Sequence, residues 1–143
     1  MLIRHCDIVT SSKISTLEKN SKLKDLQVSI LDLYTRAISL PEVEPIESKV
    51  PTYKIEIPQI NFKQWDEYWI IFDPFHNEKP VGCSLADDVL DIYRDVKEGL
   101  ILYQRNEKRR AIWDWKLNFE IHWGNHAVNA IRALHTAILD NSY

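Results

Sequence analysis

The stretch from Ser84 to Tyr103 permits few folds. At the 100° per residue of an α-helix, Leu85, Val89, Ile92, Tyr93, Val96, Leu100 and Tyr103 fall within one sector about 100° wide. The opposite flank collects Asp87, Asp88, Asp91, Asp95 and Glu98 in an acidic stripe that Arg94 and Lys97 interrupt only in part. A helix divided in this way must bury one side against other elements. Ser84, followed three residues on by Asp87, marks its start as a cap pair. Gly99 costs roughly 1 kcal/mol against alanine in a helix interior. Its presence is explained if a neighbour approaches closely there.

Two more stretches carry the helical period. Ile14, Leu17, Leu23, Leu26, Ile30, Leu33, Tyr34 and Ile38 recur at three- and four-residue steps, which predicts a helix over about 15–39. Ser15-Thr16-Leu17-Glu18 has capping-box form at its start, Asn20-Ser21 is a point where it can divide, and Pro41 stops it. Ile112, Trp115, Phe119, Trp123, Ala127, Ala130, Ile131, Leu134 and Ile138 hold one phase across a last helical region from about 107 to 140, with Gly124-Asn125 as the expected kink or break. Ala127, Ala130, Ala133 and Ala137 let another helix pack closely.

Between the first two regions the prolines at 41, 45, 51 and 58 argue against helix. The alternation Tyr53-Lys54-Ile55-Glu56-Ile57 has strand form but no evident partner, so an extended connection is predicted. Phe62, Trp65, Tyr68, Trp69 and Phe72 recur at helical steps and predict a helix over 61–71, with Phe72-Asp73-Pro74-Phe75 turning the chain. The fold class expected is all-α: a single-layer bundle of four to five helices, with a proline-rich extended connection around 41–58, forming one helical domain over 1–143. Three glycines leave little room for hairpin-rich β architecture or a glycine-lined phosphate loop.

Charge constrains function. Eighteen basic against twenty-one acidic residues give −3 overall, which disfavours nonspecific nucleic-acid binding. Within 61–104, four basic face nine acidic residues, while 105–143 holds six basic and four acidic, so the two regions attract each other when packed antiparallel. Lys108-Arg109-Arg110 with Trp113 and Trp115 reads as charges opening a helix whose tryptophans are core. No apolar run has signal-peptide form or the roughly 18 residues of a membrane span, so a cytoplasmic protein with no membrane association is expected. Cys6 and Cys83 have no metal-type spacing and are expected as two reduced thiols.

For chemistry, His122 and His126 are the first candidates. Two histidines four apart share a helix face and can bind one metal, with Asp88, Asp91 or Asp95 completing a shell if the two helices pack face to face. The His-Glu-x-x-His pattern and a repeated Glu-x-x-His are both missing, so the expectation is no metal and no cofactor, with both histidines hydrogen-bonded to neighbours beside Trp123. Cys83 precedes a helix start, where the dipole can lower a thiol pKa, but no partner histidine is placed beside it and no catalytic residue is assigned. The aromatic residues Trp65, Tyr68, Trp69, Phe72 and Phe75 read as core first, an exposed subset being the alternative, since tryptophan and tyrosine concentrate at interface hot spots.

Two segments also carry a likeness. Phe72-Asp73-Pro74-Phe75 followed by Pro80 through Leu100, PVGCSLADDVLDIYRDVKEGL, resembles the central motif of a bacterial domain-of-unknown-function family, number 5063. Asn118 through His135, NFEIHWGNHAVNAIRALH, is similar to its closing motif. With Leu31 to Pro41 and Tyr68-Trp69, the likeness spans most of the chain after about residue 25. It implies a small, mainly helical, cytoplasmic bacterial protein and no particular reaction. The functional expectation is therefore a noncatalytic binding protein: an immunity-type antitoxin that neutralises a cognate protein toxin, such as an RNA- or DNA-cleaving domain. Asp87, Asp88, Asp91, Asp95 and Glu98 are its expected contact surface, because complementary potentials speed association. The competing reading is a metal-binding or enzymatic helical protein built on His122, His126 and the facing carboxylates. Self-association into a homodimer is the third.

Overall fold

The computed structural model describes residues 20–46 and 53–140. Helix α1 (Asn20–Ile38) turns Leu23, Leu26, Ile30, Leu33 and Ala37 inward, as its period requires. The buried hydroxyl of Ser29 is satisfied by the Asp25 carbonyl at 2.8 Å. Its last turn tightens, with Ser39 and Leu40 donating to the Arg36 and Ala37 carbonyls, and Pro41 follows. The capping box at Ser15 lies outside the described residues.

The connection is irregular wherever it is described, 41–46 and 53–62, as the prolines predict. Tyr53 and Ile55 nevertheless keep their alternation and pack on the core, and the Arg105 guanidinium lies 4.6 Å from the Tyr53 ring centre. The helix expected over 61–71 does not form. The Asn61 side chain accepts from the Lys63 amide at 2.8 Å, and Lys63 adopts φ 54°, outside the helical region. A single 3₁₀ turn (Lys63–Trp65) leads instead into strand β1 (Glu67–Ile70), antiparallel to β2 (Val81–Ser84). Glu67 faces Ser84, Tyr68 faces Cys83, Trp69 faces Gly82 and Ile70 faces Val81.

Helix α2 (Leu85–Gln104) starts where the cap pair places it: Ser84 Oγ accepts from the Asp87 amide at 3.1 Å. Asp66, just before β1, adds a second cap from a distance. Its carboxylate accepts from the Ala86 amide at 2.8 Å and from the Ser84 hydroxyl, and its carbonyl takes the Leu85 amide. A carboxylate is favoured at a helix N-terminus, where orphan amides and the dipole converge. This knot fixes the hairpin to α2.

Leu85, Val89, Ile92, Tyr93, Val96 and Leu100 are buried along α2, while Tyr103 stays at the margin, its ring 6.0 Å from that of Trp115. At the far end Asn106 takes φ 65°, its amide bonds to the Tyr103 carbonyl and that of Glu107 to Leu102. This is a Schellman closure with asparagine in the left-handed position.

Helix α3 (Lys108–Asn118) passes through a π-helical turn (Phe119–Trp123) into helix α4 (Gly124–Asp140) without a break. Gly124 therefore widens the helix rather than ending it. Its amide reaches the Phe119 carbonyl five residues back, and a β-carbon there would lie 2.4 Å from that oxygen. The apolar steps explain the need. Trp115, Phe119, Trp123 and Ala127 are each four apart, so a regular helix would swing the stripe about 40° off the core per step. The wide turn takes up that drift.

The described fold is thus mostly helical with one small hairpin: three rods, α1, α2 and the continuous α3–α4, rather than a purely helical layer of four to five. α2 packs against α3 and α4, and α1 lies along α4. Ala127, Ala130 and Ala137 are buried there, and Gln27 donates to the Ile131 carbonyl at 3.1 Å. Gly99 admits a neighbour closely: the Trp115 indole occupies the space of its missing β-carbon and donates to the Val96 carbonyl at 2.9 Å.

Candidate functional site: a histidine–carboxylate cluster beside an apolar hairpin

Face-to-face packing of α2 against the start of α4 brings the acidic stripe onto the two histidines. His122 rides on the π turn and His126 on the first turn of α4, their ring centres 4.8 Å apart and their planes at 77°. π turns recur at functional positions because the extra residue re-aims side chains. His122 Nδ1 donates to Asp95 Oδ2 at 2.6 Å, and His126 Nδ1 donates to Asp88 Oδ1 at 2.7 Å. The second oxygen of Asp88 accepts from the Tyr68 hydroxyl, which β1 delivers. Asp91 lies between: Oδ1 accepts from Arg94 at 2.7 Å, and Oδ2 stands 3.6 Å from His126 Nε2. One donor atom each from Asp91, His122 and His126 lies within 4.8 Å of the others.

The stripe is consequently not a free acidic face. Asp88 and Asp95 are buried, Asp91 and Glu98 half-buried, and Asp87 alone of the five is exposed. Both histidines are hydrogen-bonded to neighbours, as the sequence suggests.

Hydrogen bonding and burial together set the proton affinities. The bond to Asp88 raises the pKa of His126 against the opposing effect of desolvation. Burial raises Asp95, although His122 pulls it back. Glu98 is raised by burial and then by Asp95. Asp114, on α3 and close to both, is pushed up to about 6, chiefly by burial and then by Glu98 and Asp95. One of its oxygens is buried without a hydrogen-bond partner among the described residues.

The dipole effect considered for Cys83 is opposed by its surroundings. Burial raises its thiol pKa, and Asp88 adds to the shift, so the helix start does not make it a reactive thiolate. It is a free thiol, and Cys6 lies outside the described residues.

The aromatic group divides into two populations. Trp65 and Tyr68 pack on the core, but Trp69 is 66% exposed, Phe72 76% and Phe75 93%, with Ile71 and Val81 half in solvent. Trp69 lies across Gly82 on the partner strand, in contact at 3.6 Å with the position of a β-carbon. The hairpin tip therefore presents large apolar groups beside the cluster that Tyr68 joins from its other face. Tyr68, Asp66 and Asp114 escape sequence reasoning as participants. The run of aromatic and β-branched residues from Tyr68 to Phe72 was the available strand signal for Tyr68, masked by the helical spacing of its neighbours. A separate pocket of about 430 Å³, lined by residues including Glu42, Pro45, Trp113 and Lys116, shares no residue with this site. Trp115 is buried and Trp113 half-buried, in keeping with the reading of these tryptophans as mainly core.

Three amphipathic rods, a hairpin tied to a helix start and a histidine–carboxylate cluster define a small helical domain with one polar seam. The chain belongs to the family described as Domain of unknown function (DUF5063), whose model matches residues 3–140. No curated protein and no solved structure matches it. Among the described residues no helix is long and apolar enough to cross a membrane.

Proposed function

We propose that the chain is a noncatalytic protein-recognition domain acting by direct binding, an immunity-type antitoxin that occludes a cognate toxin. The observation that carries the reading is the hairpin tip. Trp69, Ile71, Phe72, Phe75 and Val81 are exposed large side chains of one hairpin and its loop, Val81 on the ribbon face opposite Trp69. Contiguous exposed apolar surface marks interaction sites, and aromatic anchors dominate binding energy. Charge supports the choice of partner. The 61–104 region carries nine acidic against four basic residues, and Asp87 is exposed at the α2 start beside β2. The net negative charge of this region favours encounter with a basic surface such as the substrate groove of a nucleic-acid-cleaving domain, while among its exposed residues Glu67, Glu78 and Asp87 are matched by Lys63, Lys79 and Arg94. Occlusion of that groove requires no chemistry from the bound domain.

Co-expression tests the reading. A toxin encoded beside this chain is expressed with the wild-type protein and with a Trp69→Ala/Phe75→Ala variant whose circular dichroism matches wild type. Protection from growth arrest by the wild type, with association weakened at least tenfold in the variant, is the expected result. Equal protection by both, or protection without a complex, rejects hairpin-mediated occlusion.

A further inference from the structure

We propose that Asp91, His122 and His126 form a site for one divalent transition-metal ion of the zinc class, with at least one coordination position open to solvent. The inference is independent of the antitoxin reading. Its basis is the way both imidazoles are held. Each ring spends Nδ1 on a buried carboxylate, His122 on Asp95 and His126 on Asp88, which leaves Nε2 as the nitrogen offered to an ion. Carboxylate–histidine pairing of this kind fixes ring tautomer and aim around bound metals and raises ligand basicity. Here the support runs one layer further, since Tyr68 donates to the second oxygen of Asp88. Arg94 does the same for the third ligand: it occupies Asp91 Oδ1 and leaves Oδ2 toward His126 Nε2, at 3.6 Å.

That separation is too long for a hydrogen bond but near what an ion needs. Ligands about 2.0–2.1 Å from tetrahedral zinc stand roughly 3.4 Å from one another. The three donor atoms lie within 4.8 Å of one another, a spread that small shifts shared among the three side chains close around an ion while the Nδ1 bonds to Asp95 and Asp88 are kept. Two imidazoles and one carboxylate suit zinc, cobalt, nickel or iron(II), whereas magnesium and calcium favour oxygen sets. Three carboxylates surround two histidines at this seam, so a dication also offsets local negative charge.

The test uses the whole chain, free of any tag, stripped with chelator and returned to chelator-free buffer. Zinc is titrated in competition with a chromophoric chelator, and cobalt(II) is added separately to read its visible absorption. The expected result is one zinc per chain with micromolar or tighter affinity, and a cobalt spectrum of nitrogen–oxygen coordination. Asp91→Asn and His122→Ala each weaken binding at least tenfold, and Asp95→Asn by about 10–100-fold through loss of His122 orientation. Magnesium leaves the cobalt spectrum unchanged. Zinc uptake below half an equivalent overturns the proposal. So does binding that Asp91→Asn and His122→Ala leave unaltered, since it then resides at His76, His135 or elsewhere. Should His122→Ala lose its helical circular dichroism, Asp91→Asn decides alone, because Asp91 is half-buried and its replacement keeps its shape.

Discussion

At the residue scale the most consequential group is one that sequence reasoning passed over. Asp114 sits on the buried side of α3, near Glu98 and Asp95, with a pKa of about 6 against an ordinary 3.8. The folded state therefore holds this proton across a range where the unfolded chain has released it. Stability contributed by the protonated carboxyl is full below pH 4, falls as pH rises from about 4 to 6, and is gone above. Asp114→Asn removes that slope. Urea unfolding at pH 4 and pH 7 is expected to show little difference between the two proteins at pH 4. At pH 7 the variant is expected to be the more stable, by on the order of 1–3 kcal/mol. Parallel pH profiles for wild type and variant would show that the carboxyl ionises normally in the fold. Nothing in the sequence flags Asp114. It lies between Trp113 and Trp115 on a helix whose phase alone does not say which neighbour's carboxylates it will meet.

At the element scale the π turn connects local sequence to the site. The histidines at 122 and 126 share a face by spacing alone, but the turn beneath them sets which way that face points. Gly124→Ala measures its worth. Alanine improves helix propensity by about 1 kcal/mol, yet its β-carbon would meet the Phe119 carbonyl at 2.4 Å, and that oxygen is the acceptor of the wide turn's own bond. The backbone conflict outweighs the propensity gain, and a net loss of about 1–3 kcal/mol in chemical denaturation is expected. An equal or higher denaturation midpoint would mean that a regular helix is tolerated and the π turn is dispensable. Element boundaries were read unevenly from sequence. Ser84 marks the start of α2 and Pro41 stops α1 because caps and proline act through the backbone next to them. The segment 61–71 misled because Phe62, Trp65, Tyr68 and Trp69 satisfy a helical period by accident. Its strand depends on pairing with Val81–Ser84, eleven residues beyond its end.

For the whole molecule, packing of the rods rests on small residues admitting large ones. The Trp115 indole fills the space above Gly99 and joins α3 to α2 through the Val96 carbonyl. Gly99→Ala places a carbon 2.1 Å from the indole nitrogen of a buried ring. The roughly 1 kcal/mol of helix propensity gained does not offset overpacking of about 1–3 kcal/mol together with the lost hydrogen bond. A fall in the thermal midpoint and a shifted tryptophan emission are expected. Unchanged values of both would place the ring elsewhere. The helical character of the chain, the faces its helices bury, the closeness at Gly99 and the small-residue contact along α4 were all determined by the sequence, since periodicity and residue size act within a single element. Tertiary structure alone decided three things: that Asp88, Asp91 and Asp95 of the acidic stripe meet histidines, that Tyr68 and Asp66 reach α2 from a hairpin, and that the hairpin's outer aromatics remain exposed. Each depends on the position of a second element. A carboxylate's environment, or an aromatic ring's burial, is a property of what packs against it, and one-dimensional order does not contain that.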